Sequence, residues 1–129
     1  MTKFFLMTGM MAATFSTGVM AQDCASSDDA EVGIIELVQF RLADGVNRSK
    51  FIAAAANTMP ELCTVDGFIG RVLSEGEDGS WTDHVKWTNA AAAQAAMAAS
   101  MENEAMLPFI MSVDPDTMAL TYQRPVVLD

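Results

Sequence analysis

Past residue 21 the spacing of apolar positions switches repeatedly between strand-like and helix-like. GIIELVQFRL, residues 33–42, is rich in β-branched and large apolar side chains and runs into the turn Ala43-Asp44-Gly45, which predicts a first strand. Asn47 is a good N-cap residue. After it Phe51, Ala55 and Met59 fall on one face, with Ile52 and Ala56 beside them, predicting a helix over 47–59 that Pro60 ends. The stretch DGFIGRVLSEGEDGSWTDHVKWTN then reads as a hairpin, with strands over 68–75 and 81–88 joined at Gly76-Glu77-Asp78-Gly79. Asn89 is placed to cap a second helix through AAAAQAAMAASM, where helix propensity is strongest. A further helical segment, ENEAMLPFIM, is expected to kink or end at Pro108. After Asp114-Pro115-Asp116, MALTYQRPVV supplies a last strand, which Pro125 confines to an edge or an end.

The resulting order is β-α-β-β-α-β. This predicts an α+β, ferredoxin-like split βαβ domain, with both helices on one face of a four-stranded antiparallel sheet. The first and third strands are then central and adjacent. The other face of the sheet is left uncovered, and a homodimer is the simplest way for one chain to cover an apolar sheet face.

Residues 1–21, MTKFFLMTGMMAATFSTGVMA, carry one basic residue and an apolar stretch and finish on Val19-Met20-Ala21. They read as a signal peptide cleaved near Ala21. Thr8, Gly9, Thr14, Ser16, Thr17 and Gly18 interrupt the run, so it falls short of the roughly 20 consecutive apolar residues of a membrane span. Residues 22–31 read as a loose polar arm and 32–129 as one domain, in the periplasm or outside the cell. Without Lys3 the whole-chain net charge of −10 becomes −11. Such a surface repels phosphate backbones and anionic lipid, which argues against nucleic acid and membrane as partners. Cys24 and Cys63, exported together and lacking Cys-x-x-Cys spacing, suggest a structural disulfide; the alternative is a free Cys63 packed as a small hydrophobe.

Several landmarks resemble the antibiotic biosynthesis monooxygenase superfamily of dimeric α+β barrels. They are Glu36 to Phe40 with Arg41 on the first strand, Pro60 through Gly67-Phe68 before the second, Asp83-x-Val85-x-Trp87 on the third, and Asp114-Pro115 before the last. Together they span nearly all of residues 32–127. The resemblance implies a dimeric barrel, and its members include cofactor-independent oxygenases and haem-degrading enzymes. The haem-degrading branch uses an asparagine on the first strand and a tryptophan and an axial histidine on the second helix. Phe40, Ala96 and Met106 stand there instead, so haem degradation is not expected.

Strand alternation places Trp81, Asp83, Val85 and Trp87 on one face and Thr82, His84, Lys86 and Thr88 on the other. Trp87 is expected as a core anchor. His84, the sole histidine, is the side chain best suited to carry protons near neutral pH, although a lone histidine between Thr82 and Lys86 is more often a solvated or hydrogen-bonded surface group. Glu36 interrupts the apolar series Ile34, Val38, Phe40, and Asp83 sits on the neighbouring central strand. Each needs a partner if buried. Arg41 or Arg71 could supply it, or the two carboxylates could face one cavity and raise each other's pKa. Tyr122 is placed to reach the same space. A single histidine argues against a metal site, and no cofactor is implied. Two functions remain: a cofactor-independent monooxygenase acting on a small aromatic molecule, with His84 or a carboxylate as base, and a non-catalytic small-molecule-binding or dimerisation module.

Overall fold

The computed structural model describes residues 22–24 and 30–129. The leader read over 1–21 and the middle of the arm lie outside these residues. In chain order the elements are β1 (Gln22–Asp23), β2 (Ile34–Phe40), α1 (Arg48–Asn57), α2 (Met59–Leu62), β3 (Phe68–Glu75), β4 (Trp81–Trp87), α3 (Ala90–Ser100), α4 (Leu107–Met111), a 3-10 turn (Pro115–Thr117) and β5 (Ala119–Gln123). The sheet order is β1-β3-β4-β2-β5 and every pairing is antiparallel. This is the split βαβ arrangement, with β2 and β4 central and adjacent. The two-residue β1 extends it by pairing with Gly70 and Arg71 on the edge of β3.

The helices start where the sequence places caps. The Asn47 side chain accepts from the Lys50 N–H at 2.9 Å and that of Asn89 from the Ala92 N–H at 2.8 Å, each satisfying an orphan donor of the first turn. The prolines act differently from the expectation. Pro60 and Pro108 each stand in the first turn of a short helix, α2 and α4, rather than ending one. Proline is tolerated there because first-turn N–H groups have no intrahelical partner. The helix from Asn47 therefore closes at Asn57, before Pro60 is reached. The first strand is also shorter than predicted. Arg41 leaves the ladder to donate its N–H to Thr117 Oγ1 at 2.8 Å, and Leu42 keeps only a single bridge to Val113.

One face of the sheet packs against the helices through two apolar groups. Ile34, Val85 and Trp87 meet Ala93 and Ala96 of α3 at one end. Phe40 and Trp81 meet Phe51 of α1 at the other, with Phe51 and Trp81 rings 4.7 Å apart. The small alanine side chains let α3 approach closely. Gly67 shows how tight this is: it has φ +86°, and a Cβ there would lie 2.6 Å from Ala92 Cβ and 2.7 Å from Thr88 Oγ1. The opposite face carries Ile35, Leu37 and Val72 among polar side chains, with His84 opposite both Leu37 and Val72 in register. It is less apolar than the sequence pattern suggests.

Cys24 and Cys63 form a disulfide with Cα atoms 5.5 Å apart, fastening the segment that carries β1 to the end of α2. The bridge closes a loop with a sequence separation of 39. Chain entropy assigns such a loop about 4 kcal/mol, and native strain commonly reduces the measured value to about 2–4 kcal/mol. Replacing both cysteines by alanine is expected to cost that amount in urea unfolding, and neither cysteine should react with a thiol reagent until reductant is added. Labelling of the untreated protein, or no loss of stability, would contradict the bridge.

Candidate functional site

Between the two apolar groups, on the helix-facing side, the sheet buries three ionisable side chains. Register explains their proximity. Tyr122 on β5 lies opposite Glu36 on β2, Glu36 opposite Val85 on β4, and Val85 opposite Arg71 on β3, so these residues form one row across the sheet. Asp83 and Trp87, two positions either side of Val85, point to the same face and are diagonal neighbours of Glu36.

Arg71 and Asp83 form a buried bidentate pair. Nε donates to Oδ1 and Nη2 to Oδ2, both at 2.7 Å. Nη1 of Arg71 donates to Thr58 Oγ1 at 2.8 Å and to the Ala55 carbonyl at 3.3 Å, at the C-terminal end of α1. The guanidinium also lies 4.6 Å from the Phe109 ring centroid on α4, a cation–π contact. Arg71 thus ties β4, the end of α1 and α4 together, and its ion pair is with Asp83, not with Glu36.

Glu36 is therefore left without a cation of its own. Burial, followed by the negative charge of Asp83, pushes its pKa up to about 7 from 4.5, against opposing effects of the Tyr122 hydrogen bond and Arg71. The Tyr122 hydroxyl donates to the Glu36 carboxylate, and its own pKa is raised by burial and by that carboxylate. Among the described residues two buried side-chain polar atoms have no hydrogen-bond partner: the acceptor Glu36 Oε2 and the donor Trp87 Nε1. Buried polar groups are nearly always paired, so two such atoms together mark a place where a ligand would satisfy them.

Both residues line one cavity of about 290 Å³ between the sheet and α2, α3 and α4. Apart from the Arg71–Asp83 pair, Thr58 and Ser100, its remaining wall is apolar, formed by residues such as Phe40, Val85, Ala96 and Phe109. Met97, Met101, Met106 and Met118 also line it.

The structure gathers Glu36, Asp83, Arg71 and Trp87 at this cavity, with Tyr122 bonded to Glu36. His84 is exposed on the opposite face and is absent from the lining. Trp87 packs edge-on against Phe68 at 5.5 Å, as an anchor should, yet also presents its N–H unpaired. Of the two arginines considered, Arg41 lies outside the site, with an exposed contact to Asp78 at 3.6 Å. The sequence reading overlooked Thr58, Phe109 and the methionines. Thr58 and Phe109 carry no pattern that would have distinguished them, whereas five methionines within 97–118 are visible in the sequence.

The chain has the fold of proteins of the antibiotic biosynthesis monooxygenase type. A candidate antibiotic biosynthesis monooxygenase from Bordetella bronchiseptica superposes with a TM-score of 0.60 at 16% identity, over 74% of this chain and 99% of that one. SnoaB, a cofactor-independent oxygenase from Streptomyces nogalater, gives 0.53 at 16% identity over 77% and 96%. A monooxygenase from the gene ActVA-Orf6 of Streptomyces coelicolor, in complex with the ligand nanaomycin D, gives 0.54 at 14% identity over 76% and 91%. No protein-family model and no curated protein sequence matches the chain. At these identities the likeness is one of fold.

The raised Glu36 pKa has a stability consequence with a definite sign. The folded protein binds this proton more tightly than the unfolded chain, so the associated stability is full below pH 4.5 and is lost as pH rises through about 7. Glu36→Gln keeps an acceptor for Tyr122 and never ionises. At pH 8 it is expected to be more stable than the wild type by about 1–3 kcal/mol, after discounting for water reaching the carboxyl through the cavity mouth. At pH 4 the difference should vanish. Equal stability of the two proteins across this range would contradict the assignment.

Proposed function

We propose that this protein is a cofactor-independent oxygenase acting on a small, electron-rich aromatic molecule held in the cavity. The observation that carries the reading is the Glu36 carboxyl, unpaired at Oε2 and titrating near 7, in an apolar cavity that also receives the unpaired Trp87 N–H. A carboxyl tuned to neutral pH is suited to remove and return a proton in the working range. The fold neighbours named as a cofactor-independent oxygenase and as a monooxygenase with a bound small ligand add support.

In this reading the ionised Glu36 takes a proton from an acidic CH₂ of the substrate, beside an oxygen to which Trp87 Nε1–H donates as negative charge develops there. The substrate carbanion supplies electrons to O₂ and a C–O bond forms, giving a hydroperoxide that takes up the proton. Loss of water then leaves a carbonyl where the CH₂ stood. One CH₂ and one O₂ become one C=O and one H₂O, so no external reductant is required. Tyr122 holds the carboxyl in place, and the Arg71–Asp83 pair fixes the wall behind it.

Export belongs to the same proposal, supported by the leader-like pattern of residues 1–21 and by the disulfide. So does a homodimer in which a second copy covers Ile35, Leu37 and Val72. Among the described residues no helix is long and apolar enough to cross a membrane. The outward position of His84 favours a second reading, a non-catalytic binding module, which predicts saturable binding without oxygen consumption.

An oxygen electrode separates the two. The size-exclusion fraction, expected at dimer mass, is tested against a panel of hydroxyanthrones, which carry such a CH₂, without added flavin, haem or metal. Uptake of one O₂ per substrate is expected, with a rate that rises through about pH 7. Glu36→Gln should lower kcat by about 10²–10³-fold, while His84→Ala should leave it unchanged. No uptake with any substrate, or full activity of Glu36→Gln, would overturn the oxygenase; a monomer at micromolar concentration would remove the assembly.

A further inference from the structure

The methionines are distributed unevenly. Beyond residue 21 the chain has six, and five of them, Met97, Met101, Met106, Met111 and Met118, fall within 97–118. Four of these five line the cavity, from three separate places: the end of α3, the residue before α4 and the residue before β5. Three are also open to solvent, Met97 by 36%, Met101 by 60% and Met118 by 50%, whereas Met106 is buried. A side chain that is exposed and also lines a cavity stands at its mouth. Thioethers suit such a rim because they are apolar, unbranched and adaptable to ligands of different shape. They are also the apolar side chains most readily oxidised.

We propose that Met97, Met101 and Met118 form an oxidisable rim, whose conversion to sulfoxides by a peroxide-class oxidant closes the cavity to apolar ligands. Each thioether attacks one oxygen of the peroxide. The O–O bond breaks, an S–O bond forms, sulfur loses two electrons, and the remaining oxygen leaves as water with both peroxide protons. The product carries a strong S–O dipole where the wall was apolar. A neutral aromatic ligand passing or covering that dipole must strip its water without offering a hydrogen bond in return, which disfavours binding. A thiol-dependent sulfoxide reductase would restore the thioether. The inference rests on the reading that the cavity takes an apolar ligand, but not on the oxygenase chemistry.

The molecule contains its own controls. Met111 is the most exposed of the six, at 75%, yet does not line the cavity; Met59 is buried. The full chain is treated with hydrogen peroxide under conditions that leave its circular dichroism unchanged, its sulfoxides are mapped by peptide mass spectrometry, and its affinity for the neutral fluorophore N-phenylnaphthylamine is measured. Met97, Met101, Met111 and Met118 should oxidise before Met59 and Met106, and affinity should fall by about fivefold or more. The triple variant M97L/M101L/M118L should show one affinity before and after peroxide, whatever its untreated value, because leucine has no sulfur to oxidise. M111L should lose affinity as the wild type does. Unchanged wild-type affinity with the three rim residues oxidised, or equal loss in the triple variant, would overturn the rim alone. Failure of the untreated protein to bind the fluorophore would overturn the ligand-cavity reading and the rim with it. Loss of oxygen uptake in Glu36→Gln bears on neither.

Discussion

Two buried carboxylates stand near one guanidinium, and the rest of the site follows from which of them it pairs with. Arg71 commits both prongs of its fork to Asp83, and Nη1 donates to Thr58 and the Ala55 carbonyl. A bidentate pair of this kind is geometrically exclusive, because the planar fork can face only one carboxylate squarely. Glu36, in the same buried layer, is left with a phenol as donor and a neighbouring negative charge. Its raised pKa is therefore a consequence of packing rather than a separate feature.

The fold makes this arrangement hard to avoid. β2 and β4 are adjacent and central, and the pleat sends Glu36, Asp83 and Trp87 to the helix-facing side, where no strand edge offers water. The apolar groups at either end, around Trp87 and around Phe51, hold the helices against the sheet while the polar row occupies the space between them. Arg71 strengthens that hold, since it bonds the end of α1 and lies against Phe109 of α4. Breaking a buried pair by removing one partner typically costs about 3–5 kcal/mol. The same contacts that keep Glu36 unpaired thus also keep the cavity from collapsing.

Much of this was legible in the residues themselves. Period-2 alternation in WTDHVKW assigns the two faces of β4, and the observed burial follows it. Asn47 and Asn89 announce both helix starts, and an apolar strand broken by Glu36 raises the question of its partner. The answer was not legible, because it depends on which arginine the sheet register places beside Asp83, and Arg41 and Arg71 are indistinguishable in composition. Pro60 and Pro108 misled for a similar reason: a proline that can end one helix fits equally in the first turn of another. His84 stands out as the chain's sole imidazole, yet local alternation already put it on the face away from Trp87. The group that titrates near neutrality is instead a carboxyl whose shift is created by three-dimensional surroundings.

The site's behaviour rests on Glu36 being a neutral carboxylic acid below pH 7, because burial and then the Asp83 charge disfavour its ionised form while Arg71 pairs with Asp83. Its most direct test is a pH titration of the side-chain carboxyl NMR resonance of Glu36, assigned by its loss in Glu36→Gln. A midpoint near 7 is expected. A midpoint near 4.5, the ordinary value for this group, would mean that Glu36 is hydrated or paired with a cation, and would contradict it.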